Sequence, residues 1–263
     1  MTLLYHGDCN ELMNEIPDNS VDLIFTDLPY GQVSCEWDKK IDFPKMWEQF
    51  MRIKKLNAPI FFCCTTKFGA EIINSAPKKC PFRYDIVWVK SAPAGFLQSK
   101  KMPMRKHEML YVFYEKLPFY DLSSHTHKFI KEVPNEDYEN RDKKTRDTIK
   151  KEEVFGKSYL EKKVNFRKFD PTLGGTGAPS HLYDPPLPNS ILEIKSQRGK
   201  HATQKPTELM KWVLKYYSKE GDVVLDPTMG SGSTGVACKE MNRNFIGIEM
   251  DPEIFEVAQN RLI

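Results

Sequence analysis

Short apolar runs recur along the chain at residues 3–5, 21–26, 59–64, 85–89, 109–114, 222–226 and 245–249. Several are apolar at nearly every position, the pattern of parallel strands covered on both faces by helices. Between them, residues 43–55, 206–219 and 252–262 place apolar side chains at helical spacing, with Pro in or near the first turn. Strands alternating with helices predict a doubly wound α/β sheet.

From residue 115 to about 200 the pattern changes. Pro, Gly, Asn and charged residues dominate, and no long apolar run appears until Ile191. Such a stretch predicts an inserted lobe or a set of functional loops, most loop-like between 170 and 190.

Composition narrows the class. Of 263 residues, 29% are charged and 40% apolar, which fits a soluble globular protein and excludes disorder, collagen and membrane-spanning classes. The six cysteines contain no C-x-x-C pair, and the His125 and His127 pair has no third ligand at metal spacing, so no metal is expected. The N-terminal residues carry no basic stretch followed by an apolar run and a small-residue cleavage site, which predicts a cytoplasmic protein. A net charge of +3 is too small on average to establish a polyanionic partner. Its placement is more telling: residues 78–107 hold Lys78, Lys79, Arg83, Lys90, Lys100, Lys101, Arg105 and Lys106 against the single acid Asp85. Lys100, Lys101, Arg105 and Lys106 fall in an expected loop and are candidates for phosphate contact.

Two constellations carry chemistry. The first is Asp226-Pro227-Thr228-Met229-Gly230-Ser231-Gly232-Ser233-Thr234, at the end of one apolar run, with Glu249 closing the next. A strand ending in a Gly-rich turn lets backbone approach a ligand, and an acid on the neighbouring strand suits ribose hydroxyls. Gly230, Gly232 and Gly235 also spell G-x-G-x-x-G, so a nicotinamide-dependent oxidoreductase is an alternative. It leaves the second constellation unexplained.

That second constellation is Asp27-Leu28-Pro29-Tyr30, at the end of the 21–26 run. An exocyclic amine on a nucleobase is a poor nucleophile because its lone pair is delocalised into the ring. Hydrogen bonds to the Asp27 carboxylate and the Leu28 carbonyl would favour a pyramidal nitrogen, while Tyr30 stacks on a base flipped out of its duplex.

These residues resemble the D-P-P-Y motif and cofactor loop of S-adenosylmethionine-dependent DNA amino-methyltransferases. The catalytic motif precedes the cofactor motif, which is the permuted order of that family's β group. Leu4-Tyr5-His6-Gly7-Asp8-Cys9 is similar to the strand and acid that contact the cofactor adenine. His201-Ala202-Thr203-Gln204-Lys205-Pro206-Thr207 resembles the H-P-T-Q-K-P segment, which implies that His201, Lys205 and Thr207 approach the methionine end of the cofactor. Lys106-His107-Glu108 is similar to a segment flanking the base pocket, without an assigned step. Two positions depart from the pattern: Leu28 and Ala202 stand where the family usually has Pro, and neither change removes a reacting group.

The resemblance implies a Rossmann-like, mostly parallel sheet of about seven strands formed by 1–115 and 200–263, with target recognition in 116–199. Its cofactor set is Asp8, Cys9, His201, Lys205, Thr207, Asp226, Thr228, Gly230 to Thr234 and Glu249. It implies S-adenosylmethionine as cofactor, double-stranded DNA as substrate, and methyl transfer to adenine N6, since an Asp-first motif points there. Cytosine N4 transfer and a catalytically silent DNA-binding relative are the alternatives. A homodimer and a cognate restriction endonuclease are further partners that it admits. The segment Gly31 to Lys40, with Trp37 and Asp38, is read either as a mobile loop that closes over the flipped base or as carrying Trp37 into the core.

Overall fold

The computed structural model describes residues 1–29, 41–123, 125, 188–196 and 204–263. Contacts divide the chain into one unit of Met1–Asp121 with Ser190–Ile263 and a second of Leu122–Asn189. Nearly all of the second unit lies outside the described residues, as do the segment 31–40, Tyr30 and His201.

The first unit is built on one eight-stranded sheet. In chain order its strands are β1 (Thr2–His6), β2 (Leu23–Thr26), β3 (Ile60–Cys64), β4 (Phe82–Ala94), β5 (Arg105–Phe113), β6 (Ile191–Glu193), β7 (Val223–Asp226) and β8 (Asn244–Glu249). The spatial order is β1-β8-β7-β2-β3-β5-β4-β6. All neighbouring pairs are parallel except those of β5, which runs antiparallel to both β3 and β4. Strands β2 and β3 are buried at every position, as their unbroken apolar runs require.

Helices α1 (Cys9–Leu12), α2 (Phe43–Ile53), α3 (Thr66–Ser75), α4 (Thr207–Tyr217), α5 (Ser233–Glu240) and α6 (Pro252–Leu262) link or cover the strands. Helix α2 shows the local logic. Asp42 caps its start by accepting from Lys45 N, and Pro44 occupies the first turn, where its missing N–H leaves no bond unmade. Phe43, Met46, Trp47, Phe50 and Ile53 repeat at three- and four-residue spacing and are all buried. Each large apolar side chain so buried contributes about 1.5–3 kcal/mol. Trp47 packs against Phe62 and Phe113, with ring centroids 5.5 Å apart in both pairs, so α2 is seated on β3 and β5.

Three features differ from the pattern-based expectation. Strand β4 extends well past residue 89 to Ala94, and the two basic residues Arg105 and Lys106, expected in a loop, begin strand β5. Ile191–Glu193 pair with Val87, Trp88 and Val89 as an eighth strand, although only Leu192 is buried. So short an edge strand leaves little periodicity to find. The hairpin of β4 and β5 runs beyond the C-terminal end of β3, since Met109 is already opposite Cys64 and Ala94 pairs with Arg105.

Chain order reverses direction across the sheet at the β7–β2 boundary. From β2 the chain moves to β3, while from β7 it moves to β8 and thence, in space, to β1. A crevice at the carboxyl ends of such strands is where open α/β sheets bind ligands.

Candidate active site

Strand β7 ends in Asp226 and β2 is followed at once by Asp27, so both constellations meet at the same sheet edge. The Asp226 side chain is buried and pins the Gly-rich turn from below. It accepts from Thr234 Oγ1 at 2.6 Å and from the Thr228 amide at 3.2 Å. Burial pushes its carboxyl up to about 7, against the lowering effect of those two donors. These two bonds shape the turn.

Gly230 and Gly232 both have positive φ, +52° and +79°. At Gly232 a Cβ would also come within 3.0 Å of Leu262 Cδ1 and 3.3 Å of Ala258 Cβ, so glycine is required there for conformation and for space. Ser231 is held by Arg261 from α6, which donates to its carbonyl and, at 3.0 Å, to its hydroxyl. Gln204 Oε1 lies 3.4 Å from the same hydroxyl.

Glu249 closes β8 beside this turn. Its Oε2 accepts from Gly230 N and its Oε1 from Asp251 N, each at 2.9 Å. On the far side, His6 pairs with Glu249 in register, and the Gly7 amide donates to the Glu249 carbonyl at 3.0 Å. Asp8 therefore begins α1 right at this edge, capping it by accepting from Asn10 N at 2.8 Å. Cys9 is buried, and burial with the neighbouring Asp8 pushes its thiol up to about 12, so it offers shape rather than reactivity. Two polar atoms in this neighbourhood, Asn10 Oδ1 and Ser233 Oγ, are buried with no hydrogen-bond partner among the described residues. Orphaned polar atoms at a crevice edge beside a Gly-rich turn and an acid fit a polar nucleoside ligand.

The Asp27 motif is tied to the turn. Thr228 Oγ1 donates to the Asp27 carbonyl at 3.3 Å and lies 3.1 Å from Thr26 Oγ1. Leu28 is buried and Pro29 half-buried, while Tyr30 lies outside the described residues. Lys205 lies just ahead of α4. Its ammonium pairs with Asp27 Oδ2 and sits 3.5 Å from Glu108 Oε2, and Glu108 Oε1 pairs with Lys90. Burial works to lower the Lys205 pKa, but Asp27, Cys63 and Glu108 outweigh it and leave the lysine firmly protonated. For Glu108 burial works upward, and the ammonium groups of Lys205 and Lys90 carry the carboxyl below its usual range. Thr207 is buried at the first residue of α4.

Lys100, Lys101, Arg105 and Lys106 are all exposed on the β4–β5 hairpin, with Phe96 and Leu97 exposed at its turn. Among the described residues no group of three or more His, Cys, Asp or Glu is placed to hold a metal, and no helix is long and apolar enough to cross a membrane. Two surface grooves of about 420 and 380 Å³ run along α4 and α5 and are lined by none of Asp27, Glu108 or Lys205.

Thr26, Lys90, Glu108, Gln204 and Arg261 also contribute to this site and were given no role by motif. Their partners lie 18 to 202 residues away in sequence, and only the segments containing Glu108 and Gln204 gave a hint.

A family model described as DNA methylase matches residues 21–260. The chain is 26% identical over 289 residues to the "Type II methyltransferase M.HinfI" of Haemophilus influenzae, covering all of this chain and 68% of that one. It is 27% identical over 273 residues to the "DNA adenine methyltransferase YhdJ" of Escherichia coli (strain K12), covering 98% of this chain and 82% of that one. Among solved structures, the M1.HpyAVI–SAM complex shares the fold, with a TM-score of 0.62 at 24% identity over the whole of both chains.

Proposed function

On the premise that the chain belongs to the DNA methylase family, which spans nearly its whole length, we propose that it transfers a methyl group from S-adenosylmethionine to adenine N6 in double-stranded DNA. The observation that carries this reading is the Thr228–Asp27 hydrogen bond, which holds the Gly-rich turn and the Asp27 motif at one sheet edge. The names of the relatives, DNA adenine methyltransferase among them, support it.

The residues fit the cofactor. Glu249 would face the ribose, Asp8 with Asn10 the adenine end, and the turn from Gly230 to Thr234 the backbone-lined middle, with Thr207 and His201 toward the methionine end. When bound, the cofactor supplies a sulfonium-activated methyl, so no metal is required. Asp27 and the Leu28 carbonyl accept from the target NH₂ and turn its lone pair out of the ring plane. Tyr30 stacks on the flipped base and offsets part of the few kcal/mol lost on unstacking. Displacement is direct and in line, and one N6 proton is then released to solvent. Lys205 takes no proton, because it is already an ammonium.

Exposed Lys100, Lys101, Arg105 and Lys106 would follow phosphates beside the pocket. Residues 116–199 would carry target recognition, and the segment 31–40 would close over the base. A cytoplasmic location, a homodimer and a cognate endonuclease are further parts of this proposal.

The test is methyl transfer from labelled S-adenosylmethionine to unmethylated duplex DNA, followed by mass spectrometry of the nucleosides. N6-methyladenine is the expected product. N4-methylcytosine would keep the cofactor and overturn the target atom, and absence of any methylated nucleoside would favour a silent DNA-binding relative.

A further inference from the structure

Four oppositely charged side chains from separate parts of the chain form one row behind the catalytic motif. Lys90 on β4 pairs with Glu108 on β5, Glu108 faces Lys205 ahead of α4, and Lys205 pairs with Asp27 after β2. All are largely buried, with side-chain exposures of 20%, 16%, 11% and 27%. Removing such charges from water is expensive unless each is matched, and a purely structural contact between these strands could be made more cheaply by apolar residues. The row is electrically neutral, and its last member is the carboxylate that would receive the target amine.

A lysine ammonium is a point charge on a flexible four-carbon stem and does not fix a partner's orientation unless it is itself anchored. Glu108 is placed to supply that anchor. Its Oε1 pairs with Lys90, while its Oε2 is buried without a hydrogen-bond partner among the described residues and lies 3.5 Å from the Lys205 ammonium, so it attracts the lysine through space while Lys90 keeps it from following if the lysine swings away. We propose that Glu108, anchored by Lys90, is a positioning residue that holds Lys205 on Asp27 Oδ2 and so sets the carboxylate plane before the target amine arrives. This rests on the methyl-transfer reading above. The groups that face Lys205 are Asp27, Cys63 from β3 and Glu108 from β5, with Lys90 behind Glu108.

A double-mutant cycle tests it, using single-turnover methyl transfer by the full chain with Glu108→Gln, Lys205→Met and the double variant. Glu108→Gln is expected to slow transfer at least about tenfold while leaving cofactor affinity within about twofold, and to have little further effect once Lys205 is Met. Effects that multiply independently, or a Glu108→Gln protein with the wild-type rate, would overturn the proposal. Lys205→Met leaves two carboxylates facing each other and can unfold the protein, so Lys90→Met serves as a second variant. It is expected to slow transfer in the same direction as Glu108→Gln without adding to it. Rescue supplies an independent readout: Glu108→Asp keeps the carboxylate and is expected to recover more of the rate than Glu108→Gln, whereas a packing role, which the longer Gln fills better, gives the reverse order. If the wild-type protein methylates no DNA, the underlying reading fails; if it methylates DNA and the cycle is additive, only the positioning role fails.

Discussion

Thr228 donates its hydroxyl hydrogen to the main-chain carbonyl of Asp27, 3.3 Å away and 201 residues distant in sequence. The turn that would hold the methyl donor and the carboxylate that would orient the acceptor are therefore fixed to each other rather than merely adjacent. In-line transfer depends on that relative placement, since a misplacement of about 1 Å is enough to cost about a hundredfold in rate.

Replacing Asp27 by Ala should lower the single-turnover rate by two to three orders of magnitude, about 2.7–4 kcal/mol of transition-state stabilisation, as for loss of a preorganised polar partner. Equilibrium dialysis should find S-adenosylmethionine still bound. An Asp27→Ala protein with wild-type turnover would rule out the mechanism.

Gly232→Ala places a Cβ at a φ of +79° and against Leu262 and Ala258. The left-handed conformation alone costs about 1–2 kcal/mol for an L residue. Thermal unfolding should begin about 2–8 °C lower, and cofactor affinity should fall with it, because Gly232 starts the helix that follows the turn.

The Asp226 carboxyl stands at about 7 in the folded protein against 3.8 in its ordinary state, because of burial. Between those values the folded protein keeps a proton that the unfolded chain has released. This group therefore favours folding at low pH, and the contribution is lost as pH rises through that window, by up to about 1.4 kcal/mol per pH unit. Chemical denaturation of wild type and Asp226→Asn from pH 4 to 8 should show their stability difference shifting against the wild type up to about pH 7, then levelling. A difference independent of pH would mean that Asp226 is ionised throughout.

Neutralising Lys100, Lys101, Arg105 and Lys106 to Ala should weaken binding to all duplexes alike and flatten the dependence of log K on log salt. Each lost phosphate contact removes about 0.9 from the slope. Fluorescence anisotropy at several salt concentrations reads this directly, and an unchanged slope would take the hairpin off the DNA path.

The parallel core was legible because burial on both faces leaves an unbroken apolar run, as in Leu23–Thr26 and Ile60–Cys64. Gly230, Gly232 and Glu249 were legible for a similar reason: a required backbone conformation and an acid at a strand end are local facts. The row from Lys90 to Asp27 was not, since each charge is ordinary in its own segment and meets its partner only through strand pairing. Lys205 illustrates the limit. Its motif implied a place toward the methionine end of the cofactor but gave no sign of the ion pairs with Asp27 and Glu108, which depend on tertiary contacts. The antiparallel placement of β5 and the length of β4 were likewise hidden, because exposed hairpin positions carry no burial pattern.

Among the described residues, strand β1 has a single sheet neighbour, β8, and β2 lies between β3 and β7. During synthesis in the N-to-C direction β1 must therefore wait until β8 has been made, and β2 is covered on one edge only until β7 emerges. Both strands are thus left with open hydrogen-bonding edges while the residues between them and β7 are made, a state that invites chaperone capture or aggregation. The edge that would hold the donor joins β1 to β7 and β8 and cannot assemble before β8 exists. A truncated product that has emerged only as far as β5 would display the Asp27 motif but have nothing on the other side of it.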